Sequence, residues 1–401
     1  MLTVKEADQL ILAHKAEWGT TSLPLSEARG HILAEPLVAD RDFPPFTRVS
    51  MDGIAIDFES FSRGQRSFRI QDTQAAGMPA VQLKSPEDCI EVMTGAMLPN
   101  GTDTVIRYED LLVENGKAAI QVEDIRKGQN AHLRGTDRRQ GEEIVAPGIR
   151  IGPAELGVAA TIGKAFLSVK KLPRIAIIAT GDELVAIDAS PEPHQIRTSN
   201  IYALQGLFQA WHLPADLLHI SDEREEVIEK LGDTLSQYDV LVLSGGVSAG
   251  KYDYVPEALE TLGVQKIFHK VQQRPGKPFW FGAQSGKTVF ALPGNPVSSF
   301  MCAIRYIQPW MRKQLELPPL AALYAKLEED FTFKPKLTYF LQVKLHSSPD
   351  GQLWASPETG RGSGDLANLV RADGFLELPQ TQNEFARGSV FPLWLYRCIQ
   401  E

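Results

Sequence analysis

The sequence predicts a multidomain α/β plus β protein, a helix-covered sheet flanked by β-rich regions. Three observations predict it. At 401 residues the chain is too long for one hydrophobic core, and two to four domains are expected. After Pro173, unbroken apolar runs alternate with amphipathic stretches, the pattern of a parallel sheet covered by helices on both faces. Upstream of residue 139 and downstream of residue 319, short alternating runs are broken by Gly and Pro, as in half-exposed strands joined by turns.

Residues 1–46 open as a helix, with Ala7, Leu10, Ile11 and His14 at helical spacing, and end in the extended "RDFPPF". From 47 to 139, stretches such as "EVMTGAMLPNGTDTVIRYEDLLVENGK" read as a small β-rich domain. "GEEIVAPGIRIGPAELGVAATIG" adds a strand, a turn and a helix before the linker "KKLP". Then "RIAIIATGDEL", "ADLLHI", "YDVLVLSGGVS" and "TVFALPGNP" supply apolar strands, with helices expected over Asn200 to Ala210 and Glu223 to Ser236. In "KTVFALPGNPVSSF", Val289 to Leu292 is a buried strand, Asn295 a helix N-cap and Pro296 a first helical residue, with free N–H groups aimed above the strand. From 319, "LTYFLQVKL", "FLELP" and "VFPLWLY" alternate as a small barrel or sandwich does.

The formal charge of -9 argues against a nucleic-acid binder, which needs a basic excess to neutralise phosphates. Lys5, Glu6 and Asp8 interrupt the N-terminus too early for a signal peptide, and no window approaches a membrane span. Cys89, Cys302 and Cys398 are scattered without metal-ligand spacing, which suits a reducing cytoplasm.

The chemistry collects in three glycine-bearing turns at strand ends: Thr180-Gly181-Asp182-Glu183, Ser244-Gly245-Gly246 and Pro293-Gly294-Asn295-Pro296. Strand-to-helix corners need glycine for steric reasons, so one such turn means little. Three in one domain favour an anionic ligand, since glycine lets the backbone approach and leaves N–H groups for phosphate oxygens. Asp182, Glu183, Asp222 and Asp253 lie beside these turns. Helix capping explains Asp222 well, but carboxylates near phosphates call for a hard cation such as Mg²⁺ between them. "KVQQRPGKPFWFG" adds Lys270, Arg274 and Lys277 around a Pro-Gly turn, either a charged surface loop or part of the anion site. "GAQSGKT" imitates a phosphate loop, but it is one residue short and runs into a strand.

The motifs "MDGIA", "MTGAMLP", "RRQGEE", "TGDEL", "SGGVSAGKYDY", "RPGKPF" and "LPGNPVS" occur in the order seen in MoeA-type molybdopterin molybdenumtransferases. The chain resembles that family, which includes the gephyrin E domain, over essentially its whole length. The resemblance implies a discontinuous linker and dimerisation domain (1–46 and 140–172) and a β-rich insert (47–139). It further implies a three-layer α/β/α molybdopterin-binding domain (173–318) and a C-terminal β-barrel (319–401). It implies an elongated homodimer whose cleft joins the α/β domain of one subunit to the insert of the other. The implied reaction takes adenylylated molybdopterin and molybdate, with Mg²⁺, to molybdenum cofactor and AMP. The adenylyltransferase of the same pathway is an implied partner.

Carried over by motif, Gly181, Asp182, Asp222, Ser244, Gly245, Gly246 and Ser248 would hold the nucleotide and pterin. Lys270 would bind substrate, Arg274, Lys277 and Ser363 would serve molybdate, and Pro293 and Pro296 would shape the cleft. Asp52, Thr94, Glu183 and Asp253 would be catalytic, with Glu143, Glu183 and Asp253 at the metal, and Asp52, Thr94 and Glu143 supplied by the partner. Four positions depart from the family pattern: Arg274 where lysine is usual, Glu143 for Asp, Ile54 for an aromatic and Leu337 for Arg. Leu337, the lost arginine, favours a reading of a different class, a non-catalytic binding or scaffold protein that retains the pterin cleft.

Overall fold

The computed structural model describes residues 1–221, 223–247 and 254–397. Its central sheet has the strand order Asp216–Ile220, Ile175–Thr180, Val240–Ser244, Lys287–Leu292, Trp280–Gln284, Gln265–His269. The first four strands are parallel, as their apolar composition predicts. Trp280–Gln284 runs antiparallel to both its neighbours, so Gln265–His269 points the same way as the first four. The reason is local: the link from Gln284 to Lys287 is a tight hairpin, and a parallel connection needs a crossover of a dozen residues or more. The "GAQSGKT" segment is therefore a hairpin and no phosphate loop.

Alternate residues of each strand enter opposite apolar layers. Ile175, Ile177, Val240, Val242 and Phe290 pack under helix Asn200–Ala210 and the helices that follow Asn295. Ala176, Ile178, Leu241, Leu243 and Val289 pack under helices Arg224–Gln237 and Val255–Thr261. Both faces are dry, which is why these strands read as unbroken apolar runs. The N-terminal helix Val4–Ala13 opens with a Thr3/Glu6 capping box and buries Val4, Ala7 and Ile11 in the first of these layers. Leu10, expected on the apolar face, is 39% exposed instead.

Two short antiparallel ribbons join segments on either side of the insert, Thr20–Pro24 with Phe166–Lys170 and Leu37–Val38 with Glu143–Val145, and a third, Arg48–Val49 with Ala131–His132, ties the insert's own two ends. The insert is a six-stranded sheet whose core holds Ile54, Phe61, Phe68 and Ile106. At the C-terminus, Thr338–Ser347, Leu353–Pro357, Leu323–Leu327, Val390–Leu395 and Gly374–Leu378 pair in turn, and the last returns to the first. That closed five-stranded barrel, with no free edge, settles the choice between barrel and sandwich. Gln273–Arg274 pairs alongside Thr338–Tyr339, so the start of the RPGKP turn is tied to a barrel strand while the turn itself leads back into the central sheet.

A buried charge pins these units together. Arg305, in a π-helical turn over Ala303–Ile307, donates to Asp8 Oδ1 at 2.9 Å and Glu377 Oε2 at 3.0 Å, and lies 4.4 Å from the Trp394 ring centroid. The two carboxylates come from the N-terminal helix and the barrel. Removing Arg305 would leave both carboxylates without their shared cation, which is far more damaging than losing a surface pair.

Candidate functional site

The carboxyl ends of parallel strands share one edge, so sheet topology alone brings the three glycine turns together. They line a hollow of about 470 Å³ with Thr180, Gly181, Glu183, Ser244, Gly245, Gly246, Gly294 and Pro296. A second hollow of about 510 Å³ shares Glu183, Gly294 and Asn295 with it and adds Arg274, Lys277, Pro293, Leu337 and Ser363. A third, of about 310 Å³, shares Arg274 and Ser363 and adds Arg361. The result is one continuous cleft running from the sheet edge to the barrel.

Gly245 is there for steric reasons as well as for ligand approach: its φ is +113°, and a Cβ would lie 2.7 Å from Thr180 O. Beside it Thr180 Oγ1 is buried and, among the described residues, has no hydrogen-bond partner. A buried hydroxyl without a partner is rare, and this one lies against the Gly245–Gly246 backbone, 2.8 and 2.9 Å from where a Cβ on those glycines would sit. The Asn200 side chain, which sequence reasoning passed over, donates to Ser244 Oγ at 3.0 Å and to Gly294 O at 2.6 Å and so stitches two of the turns. Its signal was an amide at the first residue of a helix beginning just above the sheet edge.

The Pro293–Pro296 turn differs from expectation in one respect. Pro296 opens the helix Pro296–Cys302, but Asn295 makes no side-chain cap; it donates to Ser363 Oγ at 3.0 Å. The first helical N–H groups are also taken: Val297 N donates to Ser363 O, and Ser298 N and Ser299 N to Asn295 O. Anion recognition therefore falls to the glycine turns and to side chains. Arg274 and Lys277 supply the cations, and beneath them lies a buried tie. Gln273 Nε2 donates to Gly276 O at 3.0 Å and lies 3.4 Å from Cys302 Sγ, while the Tyr306 hydroxyl donates to Gln273 Oε1. Burial pushes the Tyr306 hydroxyl well above its usual pKa, so it stays a donor.

Three family models match in sequence along the chain: the MoeA N-terminal region (domain I and II) over residues 2–163, a probable molybdopterin binding domain over 176–313, and the MoeA C-terminal region (domain IV) over 324–396. A relative in Synechocystis sp., named molybdopterin molybdenumtransferase, is 40% identical over 400 residues, 99% of this chain and 100% of that one. The chain belongs to the MoeA family. A relative of the same name in Staphylococcus epidermidis is 30% identical over 396 residues, 97% of this chain and 94% of its own. Crystal structures of a molybdopterin biosynthesis MoeA protein from Pyrococcus horikoshii superpose with TM-scores of 0.86 and 0.84 at 26% identity, covering 99% of this chain and 100% of theirs.

The MoeA motifs divide between two places. Gly181, Glu183, Ser244, Gly245, Gly246, Arg274, Lys277, Pro293, Pro296 and Ser363 line the cleft, and Asp182 follows Gly181 in the same turn. Lys270 does not line it; its backbone is used instead, with N donating to Phe279 O and its carbonyl accepting from Leu2 N. Asp52, Thr94 and Glu143 line no hollow of their own chain's cleft. Asp52 Oδ1 accepts from Thr94 N at 2.6 Å, and that bond holds the Asp52 carboxyl below its ordinary pKa. Glu143 is exposed on its ribbon. Asp222, Ser248 and Asp253 lie outside the described residues.

The departures from the MoeA pattern separate in the same way. Ile54 is fully buried in the insert core, so it bears on packing. Leu337 lines the second hollow together with Arg274 and Lys277, whereas Lys334 and Lys336 are exposed and line none of the three hollows.

Proposed function

We propose that this MoeA-family chain is a molybdopterin molybdenumtransferase that inserts molybdate into adenylylated molybdopterin with release of AMP. The observation that carries the reading is the single cleft, in which three glycine turns face the RPGKP cations. Backbone N–H groups of the glycine turns, other than that of Gly245, which donates to Leu292 O, would hold phosphate oxygens at one end. At the other, Arg274 offers a bidentate fork and Lys277 a point charge for a doubly charged oxyanion. Holding both substrates in one cleft converts their encounter into an intramolecular event.

Among the described residues no group of three metal-ligating side chains converges. The donor set still fits Mg²⁺, which takes one or two carboxylates and fills its remaining positions with water and substrate phosphates. Glu183 lines two of the hollows and offers a hard carboxylate oxygen. Bound there, the ion would neutralise phosphate charge and polarise the anhydride.

Asp52, Thr94 and Glu143 sit in the insert and on its flanking ribbon, away from their own cleft, which supports a homodimer in which they complete the partner's site. The adenylyltransferase of the same pathway is the proposed source of the substrate. No described helix is long and apolar enough to cross a membrane, and a cytoplasmic location is proposed with the reducing-compartment cysteine pattern behind it. The non-catalytic reading rests on Leu337 alone, and Arg274 in the same hollow offsets it.

AMP release measured against molybdate concentration tests the assignment of the oxyanion. Arg274→Ala should raise the molybdate requirement by at least tenfold, with activity recovered at high molybdate, and Lys336→Ala should leave it unchanged. Equal or reversed sensitivity would remove Arg274 from the role.

A further inference from the structure

Far from the cleft residues, Arg150, Gln308 and Arg312 converge on a hollow of about 200 Å³, with Trp211 and His212 at its wall. It lies where the segment preceding helix Pro153–Thr161 meets the helices Asn200–Ala210 and Gln308–Gln314 of the α/β unit. None of the residues lining the cleft lines this hollow.

The two arginines have only neutral partners. Arg150 donates to the backbone oxygens of Gly30 and Trp211, and Arg312 donates twice to Pro318 O, at 3.0 and 2.7 Å. Among the described residues neither forms an ion pair. The neighbouring acid, Glu316, is held by Lys170 at 2.6 Å. Burial and the Arg312 charge both lower the proton affinity of Arg150, and the Arg150 charge in turn helps hold His31 and His212 in their neutral forms. His31 Nδ1 is buried without a hydrogen-bond partner among the described residues.

Capping the end of helix Asn200–Ala210 accounts for Arg150 at Trp211 O. It does not account for a second arginine beside it, because two half-buried cations repel unless an anion lies between them. The hollow is smaller than the roughly 300–1,000 Å³ of pockets for drug-sized ligands, so a pterin nucleotide is excluded and a hydrated tetrahedral oxyanion fits.

We propose that this hollow binds a tetrahedral oxyanion between Arg150 and Arg312, fastening the Arg150 segment to the α/β unit. Inorganic phosphate, sulfate and molybdate share the required chemistry, and the test separates them.

Thermal unfolding of the full-length protein in phosphate, at ionic strength balanced with chloride, is the primary test. The variants are compared in the Arg274→Ala background, which removes the cleft's own oxyanion partner, and there phosphate well above its Kd should still raise Tm by a few degrees. The rise should vanish in Arg312→Gln and shrink in Arg312→Lys, which keeps the charge but loses the fork. Parallel titrations with sulfate and molybdate rank the anions. A rise that persists in Arg312→Gln, or that disappears in Arg274→Ala, would overturn the proposal. Should Arg312→Gln not fold, crystals soaked in tungstate decide: anomalous density between Arg150 and Arg312 is expected, and density confined to the cleft would exclude the site.

Discussion

Tyr306→Phe removes one oxygen from the buried tie beneath the RPGKP turn. Tyr306 and Gln273 are both fully buried, and the hydroxyl donates to Gln273 Oε1. The ring keeps its packing against Phe279, at 5.1 Å between centroids, so the substitution creates no large cavity. What it leaves is a buried amide oxygen without its donor, a loss of about 1–3 kcal/mol. Gln273 also holds Gly276 O at 3.0 Å, and Gly276, with φ +89° and Cys302 Sγ 2.7 Å from where a Cβ would sit, forms the middle of the turn that presents Arg274 and Lys277. Loosening the tie should therefore reach the oxyanion end of the cleft before the nucleotide end. The expected outcome is a urea midpoint lowered in line with that free energy, a molybdate KM raised about tenfold and a kcat within about twofold of wild type. Lower stability with an unchanged molybdate KM would show that the tie serves the fold alone, and the argument linking it to the cations would fail.

Other outcomes follow from the same geometry. Glu183→Gln should abolish turnover while Tm stays level or rises, because an exposed carboxylate in an acidic turn contributes repulsion and no packing; retained turnover with a lower Tm would make Glu183 structural. Mixing inactive Asp52→Asn and Glu183→Gln subunits should restore about a quarter of wild-type activity through mixed dimers with one intact cleft, and no recovery would mean that each cleft is built within one chain. Burial pushes the Cys89 thiol from 9.0 up to about 12. The folded pKa is the raised one, so this contribution is whole below pH 9 and is lost as pH climbs from 9 toward 12, by about 4 kcal/mol in all. Urea midpoints from pH 8 to 10.5 should fall less steeply for Cys89→Ala than for wild type, and parallel curves would remove Cys89 from the alkaline limb.

Much of the α/β unit was legible because both faces of its parallel strands are dry: Ile175–Thr180 and Val240–Ser244 are buried at every residue, and such runs have few alternatives. The reversal of Trp280–Gln284 was not legible, since an apolar run reads the same in either direction and only the length of the hairpin link settles it. Leu10 misled because helical spacing assigns a face without saying how wide the contact is. In the site, the glycine turns and the RPGKP cations stood out as local patterns. Asn200 and Thr180 did not, because their roles depend on neighbours 94 and 65 positions away that only the sheet brings close. The same holds for Asn295: the sequence marks a good cap, but the barrel supplies Ser363 and redirects the side chain.

The central claim is that the cleft couples molybdate insertion to cleavage of the adenylylated substrate. The most direct measurement incubates purified protein with adenylylated molybdopterin and Mg²⁺, follows AMP by chromatography, and scores active cofactor by reconstitution of a molybdoenzyme lacking it. The account predicts AMP and active cofactor appearing together, both requiring molybdate and both absent with Glu183→Gln. Substrate bound by the wild type with neither AMP nor active cofactor formed would contradict it.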